Sequence, residues 1–279
     1  MKKIYLFVLI FSLLTAQNAF AQNFKGNEKK IVIEPSQGKL TVGETLEYNV
    51  EWMGIPSGKI TLTVKGIETL NKRECYHIVA RAIPNKFFRA FYDIEYKVHT
   101  YVDTKTLEPL RFEKIRRINN TYLYLVVQFN SETGIASHTY LCPKGPFETI
   151  SFLSLRKDIC ESKFYSEKVP PGSQDLFSSL YYFRLLDIQL GKSYPININY
   201  EKNNYQVTAT VGTPFIKDIR KKGSFPCFEL FLNTELIGKI LGKPKVTVYF
   251  TADSKRIPLV FNFPTMIGSL NGVLQEIPK

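Results

Sequence analysis

The sequence predicts an all-β protein with one or two short helices, built from two similar, strongly curved antiparallel halves in tandem. Three observations carry this. Short runs of alternating apolar and polar residues recur along most of the chain. Gly, Pro, Asn and Asp punctuate them at hairpin spacing. A single segment has helical periodicity, near position 180.

Taken in order, the chain opens with Lys2 and Lys3, an apolar run from Ile4 to Leu14, and Ala19-Phe20-Ala21 before Gln22. These are the three parts of a cleavable secretory signal, residues 1–21, and the run is too short for a bilayer span. Residues 22–42 read as a loose N-terminal arm, and 43–279 as the folded β domain. From Thr45 to Trp52, Leu46, Tyr48, Val50 and Trp52 alternate with Thr45, Glu47, Asn49 and Glu51, the pattern of a half-buried strand. Gly54 to Gly58 supplies turn residues, and Ile60, Leu62 and Val64 return as the second strand of a hairpin.

Strand composition continues at 75–82, 94–102, 110–115, 122–129 and 135–140. The stretch 142–171 reads as irregular. Ser173 then offers an N-cap to a helix over 174–186, whose apolar stripe is expected to pack on the sheet. Strands resume at 194–200, 205–211, 227–233, 245–251, 257–263 and 267–276. Two half-repeats, 43–141 and 191–276, are suggested by matching landmarks. Gly43-Glu44-Thr45-Leu46 is echoed by Gly191-Lys192-Ser193-Tyr194, and Tyr101 to Pro109 by Tyr249 to Pro258, each with an Asp turn before a strand-opening proline. The halves would either face each other or continue one barrel-like wall.

Composition bounds the partners. The chain carries 37 basic and 25 acidic residues. Outside the cytoplasm such an excess either simply keeps strand edges soluble or favours anionic head groups or acidic polymers over nucleic acid, and neither basic cluster, Arg111 to Arg117 or Lys217 to Lys222, is interleaved with stacking aromatics. Both clusters are expected at turns and sheet edges. After signal cleavage no segment is long and apolar enough to span a membrane. The chain is therefore expected to be exported, periplasmic or secreted.

Four cysteines, Cys75, Cys142, Cys160 and Cys227, can pair in three ways in an oxidising compartment; Cys142 with Cys160, close in sequence, is the preferred pair. No spacing provides a metal site, and no cofactor motif is present. The three histidines, His77, His99 and His138, fall in separate strands and read as structural or surface residues. Ser57 lacks a nucleophile-elbow context. No catalytic residue is assigned, so the chain is not expected to be an enzyme.

Three residues are candidates for ligand contact. Arg184, among Leu180, Tyr181, Phe183 and Leu185, must either be paired in the interior, with Asp175 or Asp187, or reach a cavity together with Tyr181 as a head-group contact. Trp52 is either a core anchor or a ligand platform. Sixteen Tyr and 21 Phe exceed the needs of a small core. Strands apolar on both faces, such as 122–129, fit either a doubly covered sheet or an apolar cavity.

Three ordered segments resemble a known family. Gly43 to Val64, GETLEYNVEWMGIPSGKITLTV, is similar to the opening of the bacterial exported family called domain of unknown function 3108. Val169 to Asp187 resembles its Asp-x-x-Ser-x-x-Tyr-x-x-Arg helix through Asp175, Ser178, Tyr181 or Tyr182, and Arg184. Tyr249 to Leu274 resembles its closing segments. The resemblance implies an exported β domain with no assigned activity. A weaker, architectural resemblance to the half-barrels of periplasmic lipoprotein carriers suggests a binding or carrier module for an apolar or amphipathic, lipid-like ligand. An envelope structural or protein-interaction role is the alternative, and a hydrolase the third reading.

Overall fold

The computed structural model describes residues 31–91, 93–118, 121–143, 159–200, 202–219, 222–233, 245–264 and 268–276. The expected signal peptide and the start of the arm lie outside them. The N-terminal half is a meander of β1 (Thr45–Trp52), β2 (Ile55–Leu70), β3 (Arg73–Pro84), β4 (Ile94–Asp103), β5 (Pro109–Ile118), β6 (Thr121–Asn130), β7 (Ile135–Pro143) and β8 (Ile159–Lys168), with the short helix α1 (Lys86–Phe91) between β3 and β4. Helix α2 (Leu176–Leu185) leads into β9 (Ser193–Tyr200), β10 (Asn203–Val211), β11 (Phe215–Ile219), β12 (Gly223–Asn233), β13 (Lys245–Thr251), β14 (Pro258–Pro264) and β15 (Ser269–Leu274).

The fold is all-β and antiparallel. Of the two arrangements open to the halves, they continue one wall. The order runs β8 to β1 and then β15-β14-β13-β12-β10-β9, with β11 attached to β12. The join is β1 against β15, from Tyr48 opposite Leu274 to Trp52 opposite Leu270. Each edge of β1 thus has a ladder partner, which satisfies its backbone groups.

The sheet does not close: β8 and β9 end the path unpaired with each other. Side chains bridge that seam instead. Asn199 donates to Glu167 at 2.6 Å and Asn204 to the Lys168 carbonyl at 2.8 Å. Gln174 makes an isolated parallel bridge to Ile198.

Inside the curve lies α2. Phe177 and Leu180 pack on a cluster that includes Leu46, Leu62, Val98 and Leu259. Phe183 joins Ile196, Val207 and Phe250, while Tyr181 joins Leu40, Val64 and Ile78. The helix therefore buries several faces rather than the single stripe the sequence predicted, as a segment enclosed by a sheet must. It also starts later. The N-cap is Asp175, not Ser173: its carboxylate accepts from the Phe177 and Ser178 amides at 2.8 Å, and Ser178 accepts from the Asp175 amide. Gln174 is held extended by backbone bonds to Asn197 and Asn199, so helical geometry cannot begin before Asp175.

Four further expectations are corrected. Residues 31–42 are not loose: Glu34 and Gln37 hydrogen-bond Ala252 and Ser254, and Leu40 is buried. Part of the irregular stretch 142–171 is β8. The run Ile55 to Gly58 belongs to β2, the turn being Met53-Gly54 alone. The basic cluster from Arg111 to Arg117 lies on β5, an internal strand, where Arg111 meets Glu113 and Arg117 meets Asp93.

The landmarks shared by the halves adopt the same geometry. Gly43 and Gly191 both have positive φ and donate to the carbonyls of Val64 and Val211, whose amides return bonds to Glu44 and Lys192. Asp103 and Asp253 each accept two backbone amides in the turn before a proline strand.

Candidate functional site

β1 sends Leu46, Tyr48, Val50 and Trp52 to the inner face of the sheet. The first three are buried; Trp52 is only half-buried, because α2 fills another part of the interior and does not line this end. The inward apolar file therefore runs out of the packed core into an open groove of about 380 Å³. That volume falls in the usual range of ligand pockets.

Local backbone devices shape the groove. Met53 and Gly54 both have positive φ, 53° and 80°, the two-residue hairpin turn that matches strand twist. A register shift after Val50 leaves Ser57 as the extra residue of a bulge, its hydroxyl donating to the Val50 carbonyl at 3.0 Å. Gly58 sits so close to β3 that a Cβ there would lie 2.4 Å from the Ile83 carbonyl oxygen. Asn85, just past β3, donates through its amide to Ser57 and through its side chain to Pro56, which pins the start of α1 over the bulge.

Phe88 of α1 then meets Trp52 edge to face, ring centroids 6.4 Å apart. Val50, Ile83, Ile94 and Leu270 complete most of the apolar wall, and Lys59 is the charged member of the lining.

The structure does not bring Tyr181 and Arg184 to this groove. Both are enclosed in the interior. Arg184 pairs neither with Asp175 nor with Asp187 but with Glu44, bidentately at 2.5 and 2.8 Å, and it lies over the Tyr181 ring. Asp175 is occupied as the helix cap and as acceptor for the Thr100 hydroxyl. Burial works against the Arg184 charge, but the hydrogen bonds and charge of Glu44 outweigh it and hold the guanidinium above its ordinary pKa. Neighbours this distant in sequence leave no local pattern to read.

Cys142 lies opposite Glu161 on the β7–β8 ladder, next to the register shift that accommodates Cys160. The Cys160 side chain lies outside the described residues.

Two polar constellations were not legible. On β3 and β4, His77 accepts or donates between Glu68 (2.6 Å) and His99 (2.8 Å), with Tyr101 stacked on His77. Burial lowers the pKa of both rings, that of His99 to about 3, with the charge of His77 adding to the effect on His99. The β3–β4 register is the signal that would have placed them side by side. At the seam, His138 bonds Glu167 at 3.0 Å beside Asn199, next to a cavity of about 10 Å³, room for about one water and no ligand.

A second hollow of about 400 Å³ is polar, but its arginines are already engaged, Arg73 with Asp103 and Arg111 with Glu113. Among the described residues no group of three His, Cys, Asp or Glu side chains could hold a metal ion, and no helix is long and apolar enough to cross a membrane.

No curated protein matches the chain. Among solved structures, the crystal structure of a β-barrel-like protein of domain of unknown function DUF1849 from Brucella abortus is similar at 10% identity and a TM-score of 0.47, over 83% of this chain and 95% of that one. The family described as "Protein of unknown function (DUF3108)" matches residues 47–275. With nearly all of the described fold inside that match, the chain belongs to the DUF3108 family.

Proposed function

We propose that this is an exported envelope protein that binds an apolar or amphipathic, lipid-like ligand without chemically altering it, and that the Trp52 groove is the binding site. The observation that carries the reading is the continuation of the apolar inner face into an open groove of about 380 Å³, walled by Trp52, Phe88 and aliphatic side chains. An apolar surface left uncovered beside a packed core is stabilised by an apolar occupant. Export is supported by the Lys2-Lys3, apolar-run and Ala19-Phe20-Ala21 pattern.

The sequence contains one tryptophan, so intrinsic emission reports on this groove directly. Titrating the chain from Gln22 with palmitate is expected to give a saturable blue shift of Trp52 emission, lost in Ala82→Arg, a substitution in the groove lining, with its circular dichroism unchanged. An emission spectrum that never moves, together with no protein-bound palmitate after gel filtration, would overturn the reading.

One observation favours a protein-interaction role as the second reading. β8 ends the sheet path, and ahead of Glu167 and Lys168, where side chains fasten it across the seam, it carries Phe164, 75% exposed, where a partner strand could add. A Phe164→Lys variant that loses a co-purifying protein while retaining palmitate binding would support it.

A further inference from the structure

Around the groove mouth three large apolar side chains face solvent: Met53 at 52% exposure, Ile55 at 53% and Phe87 at 64%. They are not scattered. Ile55 lies opposite Trp52 on the β1–β2 ladder, Trp52 meets Phe88, and Phe87 packs edge-on against Phe88 at 5.5 Å. Met53 lies over Gly268, which has no Cβ to displace it. Met53 in the β1–β2 turn, Ile55 at the start of β2 and Phe87 in α1 thus lie beside Trp52 and Phe88, which line the groove. Single exposed apolar residues are ordinary on any surface; a cluster continuous with an apolar groove is not.

The exposed charges beside the tips are basic. Lys59, Lys86 and Arg89 are exposed there. Of the neighbouring carboxylates, Asp93 is occupied by Arg117 at 2.5 Å and lies 3.7 Å from Arg89, Glu95 is occupied by Arg81 at 2.6 Å, and Glu51 is half-buried beside Trp52. Projecting Met, Ile and Phe with exposed Lys and Arg at their flanks match the two layers of a lipid surface: the apolar tips reach the acyl boundary while the cations stay among anionic head groups.

We infer that this end of the sheet docks on an anionic bilayer surface through Met53, Ile55 and Phe87, with the groove opening toward the lipid. The inference deepens the ligand reading given above, since a mouth held against a bilayer exchanges its ligand without exposing it to water. It stands on the rim, however, and not on the interior of the groove.

The test is co-sedimentation of the chain from Gln22 with vesicles of phosphatidylglycerol and phosphatidylcholine in equal parts, and with phosphatidylcholine alone. The expected result is tight binding to the mixed vesicles, at least about tenfold weaker for Met53→Asp/Phe87→Asp and weakened also for Lys59→Glu/Lys86→Glu. The first double variant should keep its palmitate-dependent Trp52 emission shift, which shows that it is folded.

Vesicle binding by the Asp variant equal to that of the unsubstituted protein, lost for both at about 1 M salt, would mean adsorption by the general basic surface and would overturn the inference. No binding to mixed vesicles by a protein that takes up palmitate would overturn the docking and leave the ligand reading standing. Vesicle binding that depends on the tips, without palmitate uptake, would support the docking and sink the ligand reading.

Discussion

Arg184 and Glu44 show how a charge can sit in this interior. Each is almost wholly buried, and the guanidinium and carboxylate meet through two parallel bonds, with the Lys255 carbonyl accepting further donors. Removing one partner leaves the other charge buried alone. Arg184→Met is expected to cost about 3–5 kcal/mol in urea unfolding, and the double variant Glu44→Leu/Arg184→Met to recover most of that loss. A single variant as stable as the unsubstituted protein would mean that the pair does not form.

The His77–His99 pair makes a pH prediction. An unfolded histidine titrates near 6.5, and burial holds both rings below that, His99 at about 3. The unfolded chain therefore binds more protons in this range, so stability falls as pH drops below about 6.5 and goes on falling toward about 3. His99→Gln is expected to flatten part of this fall, seen as a smaller drop in the urea midpoint between pH 7.5 and pH 5. Parallel midpoint curves for the two proteins would contradict it.

At the scale of elements, helix α2 depends on Asp175 twice, as cap and as partner of Thr100. Asp175→Ala is expected to cost about 2 kcal/mol, the upper end of cap losses, because it also leaves the buried Thr100 hydroxyl unpaired. A loss below about 0.5 kcal/mol in chemical unfolding would show that α2 is held by its packing alone.

Most elements were legible for the same reason that they form. In β1, inward Leu46, Tyr48 and Val50 alternate with outward Thr45, Glu47 and Asn49. Where periodicity says little, reading failed. Helix α1 has six residues, under two turns, and β8 alternates weakly through Ser162, Lys163, Phe164 and Tyr165. In β6, Tyr124, Leu125, Val126 and Val127 are all buried, so the strand covered on both faces is the form realised there.

At the scale of the whole molecule, one antiparallel wall wraps α2 and is fastened at its open seam by side chains. Glu167 is central to that fastening, since it receives both His138 and Asn199. Glu167→Ala is expected to raise amide hydrogen exchange in β8 and β9 while β2 and β3 keep their protection. Unchanged exchange at both seam strands would mean that the Gln174 bridges suffice.

What the sequence by itself determined is the local and periodic part: an all-β antiparallel chain, the position of nearly every strand, one internal helix, the basic balance and the family. These depend on neighbours two to four residues apart, which a linear reading contains. Only the tertiary structure decided that the halves share one sheet, that Arg184 answers to Glu44, that His77 lies against His99, and that Trp52 opens onto a groove while Tyr181 is sealed. Each of these depends on register, or on where a helix of limited length stops filling the interior of a curved sheet. Strand pairing brings together residues as far apart as Tyr48 and Leu274, and no pattern within either segment records its partner.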